Sequence, residues 1–337
     1  MSALSFTQIL LNATEEELHQ IFDKVFADDC TELPHMLAYH LGWEGPGAGK
    51  DAQGKRIRPL LLLLTVNALG NSWQTALPAA AALEFLHNFS LIHDDIQDKS
   101  ELRRNRPTIW VKWGIAQAIN AGDSLFTLAQ LAILHLQENF SAQISLAATQ
   151  LMNRACAQLT QGQYLDLSYE NRLDLVIDDY WPMIAGKTAA LLSASTELGA
   201  VLGQVPSSVQ SALREFGWNL GLAFQVQDDF LGIWGDPAKI GKSNTSDLVS
   251  GKRTLPILYG LGQKRQFADL WTNKAITEET LPEAIALLSA EGAQTYTQQT
   301  VNRLFDAAMK SLENFLPEGE AACTLLDFTH NLLGRQV

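Results

Sequence analysis

Residues 77–98 read LPAAAALEFLHNFSLIHDDIQD. Strong helix formers dominate, and apolar residues recur three and four positions apart. The stretch therefore predicts a helix over 75–98 that ends in three aspartates, Asp94, Asp95 and Asp98. Asp94 and Asp98 are four apart and project from one helical face, one turn from each other. Like charges at that spacing repel and cost the helix stability. A hard divalent cation reverses the cost, because magnesium takes carboxylate oxygens and keeps positions for water and phosphate.

The same periodicity continues through nearly the whole chain, while sustained period-two alternation is rare. Helices are predicted over 7–28, 57–69, 75–98, 117–137, 141–167, 178–202, 206–234, 251–263, 279–288, 292–314 and 320–334. Turn signals fall at 42–54, 105–108, 203–206 and 235–241. Several helices are too apolar for a surface position, so an all-α bundle of about ten or more helices is expected, with buried central members. No linker, charge block or internal repeat divides the chain. Its composition, 47% hydrophobic against 18% charged, supports a large core. A single domain over 1–337 is expected.

Lys and Arg total 24 against 37 Asp and Glu, a formal charge of −13. Such a balance repels nucleic acid and anionic membranes at long range. Cys30, Cys156 and Cys323 have no CxxC spacing and point to buried thiols in a reducing compartment. The N-terminal stretch from Met1 to Leu18 carries Glu15, Glu16 and Glu17 and no basic segment, unlike a secretion signal. The apolar run 60–69 is too short to span a bilayer. A cytoplasmic protein without a transmembrane segment is expected. The stretch Gly45-Pro46-Gly47-Ala48-Gly49-Lys50-Asp51 has a phosphate-loop look but fails on register. Glu44 stands where the first glycine belongs, and Asp51 replaces the metal-binding hydroxyl.

A second acidic cluster, Gln225-Val226-Gln227-Asp228-Asp229, lies inside another very apolar helix, which argues against a plain solvated face. His87 lies two turns before Asp94 on the same face. Arg103, Arg104 and Arg106 follow the first cluster, and Lys55, Arg56 and Arg58 open another helix. Six of the 24 basic residues of an acidic protein thus fall in two short stretches. Arginine favours bidentate phosphate contacts, and lysine supplies a compact point charge. Carboxylates for metal plus two sets of cations make an inventory for two diphosphates.

These residues resemble the trans-isoprenyl diphosphate synthases, the polyprenyl synthetase family. The motifs occur in the family's order: GKRIRP at 54–59, FLHNFSLIHDDIQDKSELRR at 85–104, GQYLD at 162–166, GKT at 186–188, FQVQDD at 224–229 and GKRTLP at 251–256. The resemblance implies a homodimer with an active-site cavity in the helical bundle. It also implies three Mg2+ ions, Asp94 and Asp98 holding two and Asp228 a third, with Asp95 and Asp229 in support. Arg103, Lys187 and Lys252 would clamp an allylic diphosphate (dimethylallyl, geranyl or farnesyl), and Lys55, Arg58, His87 and Arg104 would bind isopentenyl diphosphate. Thr188 and Gln225 would line the space where the allylic cation forms, Gln163 and Asp166 would orient the cluster, and Lys242 would belong to a closing loop. Gly232 departs from the family pattern, which usually has a further aspartate there.

Phe89, five residues before Asp94, is a bulky aromatic of the kind that floors the product pocket in this family, beside the small Ser90. The expected product is geranylgeranyl diphosphate, with farnesyl diphosphate the alternative. A class I terpene cyclase would leave Lys55, Arg58 and His87 idle, and its second metal motif is not spelled by Asp228, Asp229 and Gly232. A non-catalytic subunit of a heteromeric synthase would typically have lost an aspartate motif. A phosphohydrolase would need further histidines at ligand spacing.

Overall fold

Ser5 caps the first helix, α1 (Phe6–Phe26), its hydroxyl accepting from the Gln8 amide at 3.3 Å. Leu10, Leu18, Ile21 and Phe22 form its buried stripe. The computed structural model describes residues 5–28, 30–170, 172, 174–235, 246–273, 276–313, 315–316 and 319–333. Packing divides the chain into two compact units, Met1–Arg154 with Ala194–Gln210 and Pro317–Leu325, and Ala155–Ser193 with Ser211–Leu316 and Leu326–Val337.

In the first unit α1 is followed by a short helix, α2 (Leu33–His40), which opens on Pro34, and by α3 (Ile57–Ala68). Leu60 to Leu64 are all at most 2% exposed. Helix α3 is therefore apolar all round and lies in the core. The stretch quoted first is α4 (Leu77–Gln97), with Pro78 in its opening turn and Ala79 to Ala82 fully buried. The helix α5 (Ile115–Leu134) packs along α4 more extensively than any other described pair. Gly122 permits that approach, because a Cβ there would collide with His93 Nε2.

Between α4 and α5 the chain makes the two-residue strands β1 (Leu102–Arg103) and β2 (Arg106–Pro107), paired antiparallel. Arg104 and Asn105 both have positive φ, 51° and 59°. Two consecutive residues in that conformation make a type I′ hairpin. The turn expected over 105–108 is therefore a small hairpin in an otherwise helical chain, and it brings Arg103 back toward α4.

Later helices are α6 (Ala142–Tyr169), α7 (Ile177–Ile184), α8 (Ala190–Leu202), α9 (Ser207–Trp234), α10 (Leu255–Gln263), α11 (Gln266–Asn273), α12 (Leu281–Ala290), α13 (Ala293–Leu312) and α14 (Glu320–Leu333). In the second unit Tyr180, Leu222, Val226, Leu255 and Val301 share one apolar cluster, and Ile257, Phe267, Ala284 and Leu288 share another. The continuous helix expected over 178–202 is broken by a single π-turn, Ala185–Ala189. Pro182 precedes it and carries no N–H for the helical ladder, which disturbs the regular pairing just before the turn.

The chain is all-helical apart from that hairpin among the described residues, and there no helix is long and apolar enough to cross a membrane. The expectation of buried thiols holds for Cys156 alone, since Cys30 and Cys323 are exposed.

Candidate active site

The first unit carries one half of the expected site at the C-terminal turn of α4. Asp95 is 2% exposed and wholly engaged: Arg103 Nε donates to its two oxygens at 2.8 and 2.9 Å, and Nη2 lies 2.7 Å away. Burial raises the Asp95 carboxyl above its ordinary value, against the pull of Arg103. The same Nη2 reaches Asp94 at 3.3 Å. Asp94 and Asp98 are half-buried, and the Asp98 amide closes the last turn on the Asp94 carbonyl at 2.8 Å. Asp95 thus anchors the hairpin, while the pair one turn apart stays at the surface of the cluster.

The six clustered cations divide by what they touch. Arg56, at φ 47°, has a side chain 1% exposed and is held by Glu15 at 2.6 Å and Glu84 at 2.7 Å. Arg106 donates to the carbonyls of Pro46, Tyr39 and Glu44 and lies 3.9 Å over the Tyr39 ring, fastening the glycine-rich loop. Both serve the fold. Arg58 differs: its Nε is buried with no hydrogen-bond partner among the described residues. Burial pulls its guanidinium down to about 10, still charged at neutral pH. Arg104 donates to the Ala52 carbonyl at 2.6 Å through one nitrogen, and burial brings it too to about 10. Lys55 is exposed.

His87 faces this group. Burial first, then Arg58, Arg104, Arg103 and Arg56, holds its imidazole well below the usual value, so it is neutral at pH 7. The sequence reading missed a second such histidine, His40. Its Nε2 is a buried orphan among the described residues, and burial with Arg104, Arg103, Arg56 and Arg106 holds it neutral. It lines a cavity of about 20 Å³ with Asp95, Arg103 and Arg104. That is room for one water. His40 closes a helix of eight residues, too short to stand out as a period in the sequence. Farther up α4, the Phe89 ring meets His93 and Phe126 with centroids 5.2 and 5.4 Å away, and Ser90 donates to the His87 carbonyl at 2.7 Å. A separate groove of about 540 Å³, lined by Val25, Met36, Asn120 and Leu128 among others, carries none of the motif residues.

In the second unit the glycines of two motifs let backbones touch. A Cβ on Gly162 would collide with the Lys187 amide, and one on Gly186 would collide with the Gln158 carbonyl. The π-turn sits against α6, and Lys187 Nζ pairs with Asp166 at 2.5 Å. Asp166 therefore holds the lysine of the GKT motif. Thr188 Oγ1 donates to Gln225 Oε1 at 2.6 Å, and Gln225 Nε2 donates to Asp229 at 2.9 Å. Asp229, 4% exposed, also accepts from Tyr180 Oη at 2.7 Å and from the Leu255 amide at 3.1 Å. At least three donors occupy it, leaving half-buried Asp228 as the more exposed member of the pair. Gln163 and Gly232 are half-buried and Lys252 is exposed. Lys242 lies outside the described residues.

Among the described residues no three His, Cys, Asp or Glu side chains converge into a ready-made metal cage. Magnesium does not require one. It is usually held by one or two carboxylates, with substrate phosphates and water completing the shell. The Asp94 and Asp98 pair, repelling across one turn, fits that mode of binding.

The sequence profile of the polyprenyl synthetase family matches residues 49–288. Over 317 residues the chain is 36% identical to (2E,6E)-farnesyl diphosphate synthase of Mycobacterium tuberculosis, covering 90% of this chain and 87% of that one. It is 37% identical over 266 residues to geranylgeranyl diphosphate synthase of Saccharolobus solfataricus, covering 77% and 80%. The crystal structure of polyprenyl synthetase from Streptomyces coelicolor superposes with a TM-score of 0.85 at 31% identity, covering 97% of each chain. The chain belongs to the polyprenyl synthetase family, among the short-chain trans-prenyl diphosphate synthases, and is a prenyltransferase.

Proposed function

We propose that this enzyme joins isopentenyl diphosphate to an allylic diphosphate and releases geranylgeranyl diphosphate. The observation that carries the reading is Arg58. Its Nε is a buried donor with no partner among the described residues, beside a neutral histidine, on the unit that also bears the Asp94 and Asp98 pair. A buried orphan donor costs about 1–3 kcal/mol, a cost that a bound phosphate oxygen removes.

Arg58, His87, Arg104 and Lys55 bind the metal-free isopentenyl diphosphate. Asp94 and Asp98 would hold magnesium for the allylic diphosphate, Asp228 would hold a further ion, and Arg103, Lys187 and Lys252 would neutralise the remaining charge. Magnesium, when bound, draws off the negative charge that gathers on the departing diphosphate. Asp95 keeps Arg103 aimed, and Asp166 does the same for Lys187. Thr188 and Gln225 present oxygens toward the carbon skeleton where positive charge develops. The isopentenyl double bond then attacks in a fixed pose. The proton lost afterwards goes to the released diphosphate, so no protein nucleophile is required. The enzyme acts as a cytoplasmic homodimer.

Incubation with labelled isopentenyl diphosphate and starters of five, ten and fifteen carbons, with and without magnesium, tests the proposal. Twenty-carbon product from each starter, only with magnesium, is the expected result. No condensation with any starter would sink it. A fifteen-carbon product is the second reading, favoured by similarity to the Mycobacterium tuberculosis farnesyl diphosphate synthase.

Two further outcomes are expected here. Phe89→Ala removes the ring that meets Phe126 and His93 and opens length along α4, so chromatography should show products at least one five-carbon unit longer. An unchanged product profile removes Phe89 from length control. His87 supplies a pH signature. The arginines around it favour the neutral imidazole, and an arriving diphosphate opposes them and raises its pKa. Binding of isopentenyl diphosphate therefore takes up a proton, and calorimetry in buffers of different ionisation enthalpy should show more uptake in wild type than in His87→Gln. Equal uptake would count against the contact. For folding the sign is opposite to that of a paired histidine. The unfolded imidazole protonates near 6.5 and the folded one does not, so this contribution is present above 6.5 and lost as pH falls below it.

A further inference from the structure

Tyr180 is 1% exposed and sits among Ile184, Leu222, Val226 and Leu255, surroundings a phenylalanine would satisfy. Its hydroxyl is buried with the ring, and a buried hydroxyl without a partner is costly. It donates to Asp229 Oδ2 at 2.7 Å, shorter than the bonds that Gln225 and the Leu255 amide make to that carboxylate. The other two come from Gln225, itself bonded to Thr188, and from the amide that opens α10. One carboxylate thus ties α7, α9, the start of α10 and, through Gln225, the π-turn with Lys187. Of Tyr180, Gln225 and Leu255, only Tyr180 lies outside every motif that the sequence singled out. Without the hydroxyl, Asp229 keeps a donor on each oxygen but loses the bond that draws it toward α7.

We propose that Tyr180 is a positioning residue of the second aspartate cluster: by donating to Asp229 it holds the turn of α9 that presents Asp228 to a magnesium diphosphate. The inference rests on the function proposed above for Asp228. Partners that orient metal-binding groups through a hydrogen bond typically contribute about 10–100-fold to affinity.

The test is calorimetric binding of inorganic pyrophosphate with magnesium to the whole protein. Wild type should bind, and Tyr180→Phe should bind about tenfold more weakly while melting as a folded protein. In an Asp229→Ala background the added Tyr180→Phe should change affinity less than about twofold, because the acceptor through which it acts is gone. With p-aminophenylalanine in place of Tyr180, an N–H donor returns and most of the affinity should return with it. Should the phenylalanine variant not fold, p-aminophenylalanine against p-methylphenylalanine at that position makes the same comparison, one with a donor and one without.

Wild type that ignores magnesium pyrophosphate overturns the proposed function and this inference together. Wild type that binds, with Tyr180→Phe matching it within about twofold, overturns the role of Tyr180 alone. Equal losses in both backgrounds do the same, because they show an effect that bypasses Asp229.

Discussion

Asp94→Asn is expected to lower turnover by on the order of 10³ while leaving the melting temperature unchanged or slightly higher. The two effects part company because of where the charge sits. In the protein without ligand, Asp94 and Asp98 repel across one turn of α4, a pair that costs a helix about 0.2–0.5 kcal/mol. Asp94 receives a 3.3 Å contact from Arg103, whose stronger bonds go to Asp95. Neutralising Asp94 therefore removes a repulsion and a weak attraction that nearly cancel. During the reaction the balance is different, since the carboxylate is proposed to hold an ion on the leaving diphosphate, where charge develops. Steady-state rates and a thermal melt on one preparation read both quantities. Turnover within about tenfold of wild type, or a fall in stability beyond about 2 kcal/mol, would contradict the role assigned to Asp94.

Asp95→Asn should behave in the reverse manner. It loses the two-pronged anchor of Arg103, loosens the hairpin, and affects activity through the arginine it releases. Neighbouring carboxylates in one motif thus have separable jobs, and burial tells them apart, 2% for Asp95 against a half-buried Asp94.

The sequence carried the helices well because their signal accumulates over many residues. The span 75–98 exceeds α4 by Asp98, its C-cap, and by its first two residues, where Trp73–Ala76 form a 3₁₀ segment. Short features escaped for the opposite reason. The β1–β2 hairpin depends on two consecutive residues at positive φ, and Arg104 is a residue type that seldom adopts that conformation. The π-turn at 185–189 leaves the apolar period of its neighbours intact, so only the missing N–H of Pro182 hinted at a break.

Within the site, residue types were legible and their division of labour was not. Arg56 and Arg58 stand two apart in one basic motif, and composition cannot tell which meets carboxylates. Glu15 and Glu84, 41 and 28 residues away, decide it. Tyr180 was invisible as a site residue because its partner, Asp229, lies 49 positions on, and a tyrosine in an apolar stretch reads as ordinary core.

Glu84→Ala is expected to destabilise the first unit by about 3–5 kcal/mol, among the largest effects of a single substitution away from the aspartates. Glu84 and Arg56 have side chains 3% and 1% exposed, and their bond is 2.7 Å long. The same Glu84 oxygen accepts from Asn88 at 2.7 Å, while Arg56 continues to Glu15, which in turn takes the Trp43 indole at 3.0 Å. Truncating Glu84 leaves a guanidinium out of water with half its counter-charge. Replacing both partners by apolar residues, Glu84→Leu with Arg56→Met, removes the stranded charge and should cost less than Glu84→Ala alone. Denaturant midpoints of the single and double variants check this ordering. A double variant less stable than Glu84→Ala would mean that the pair stabilises through more than mutual neutralisation. The damage should also reach substrate binding. Arg56 is the left-handed residue between Lys55 and the first turn of α3, and Arg58 follows two residues later. Loosening that corner moves Lys55 and Arg58, two of the four proposed isopentenyl diphosphate ligands, so the surviving folded fraction of Glu84→Ala should show a raised KM for isopentenyl diphosphate and an unaltered product length. Phe89, which sets that length in the proposed function, packs its ring on Phe126 and His93.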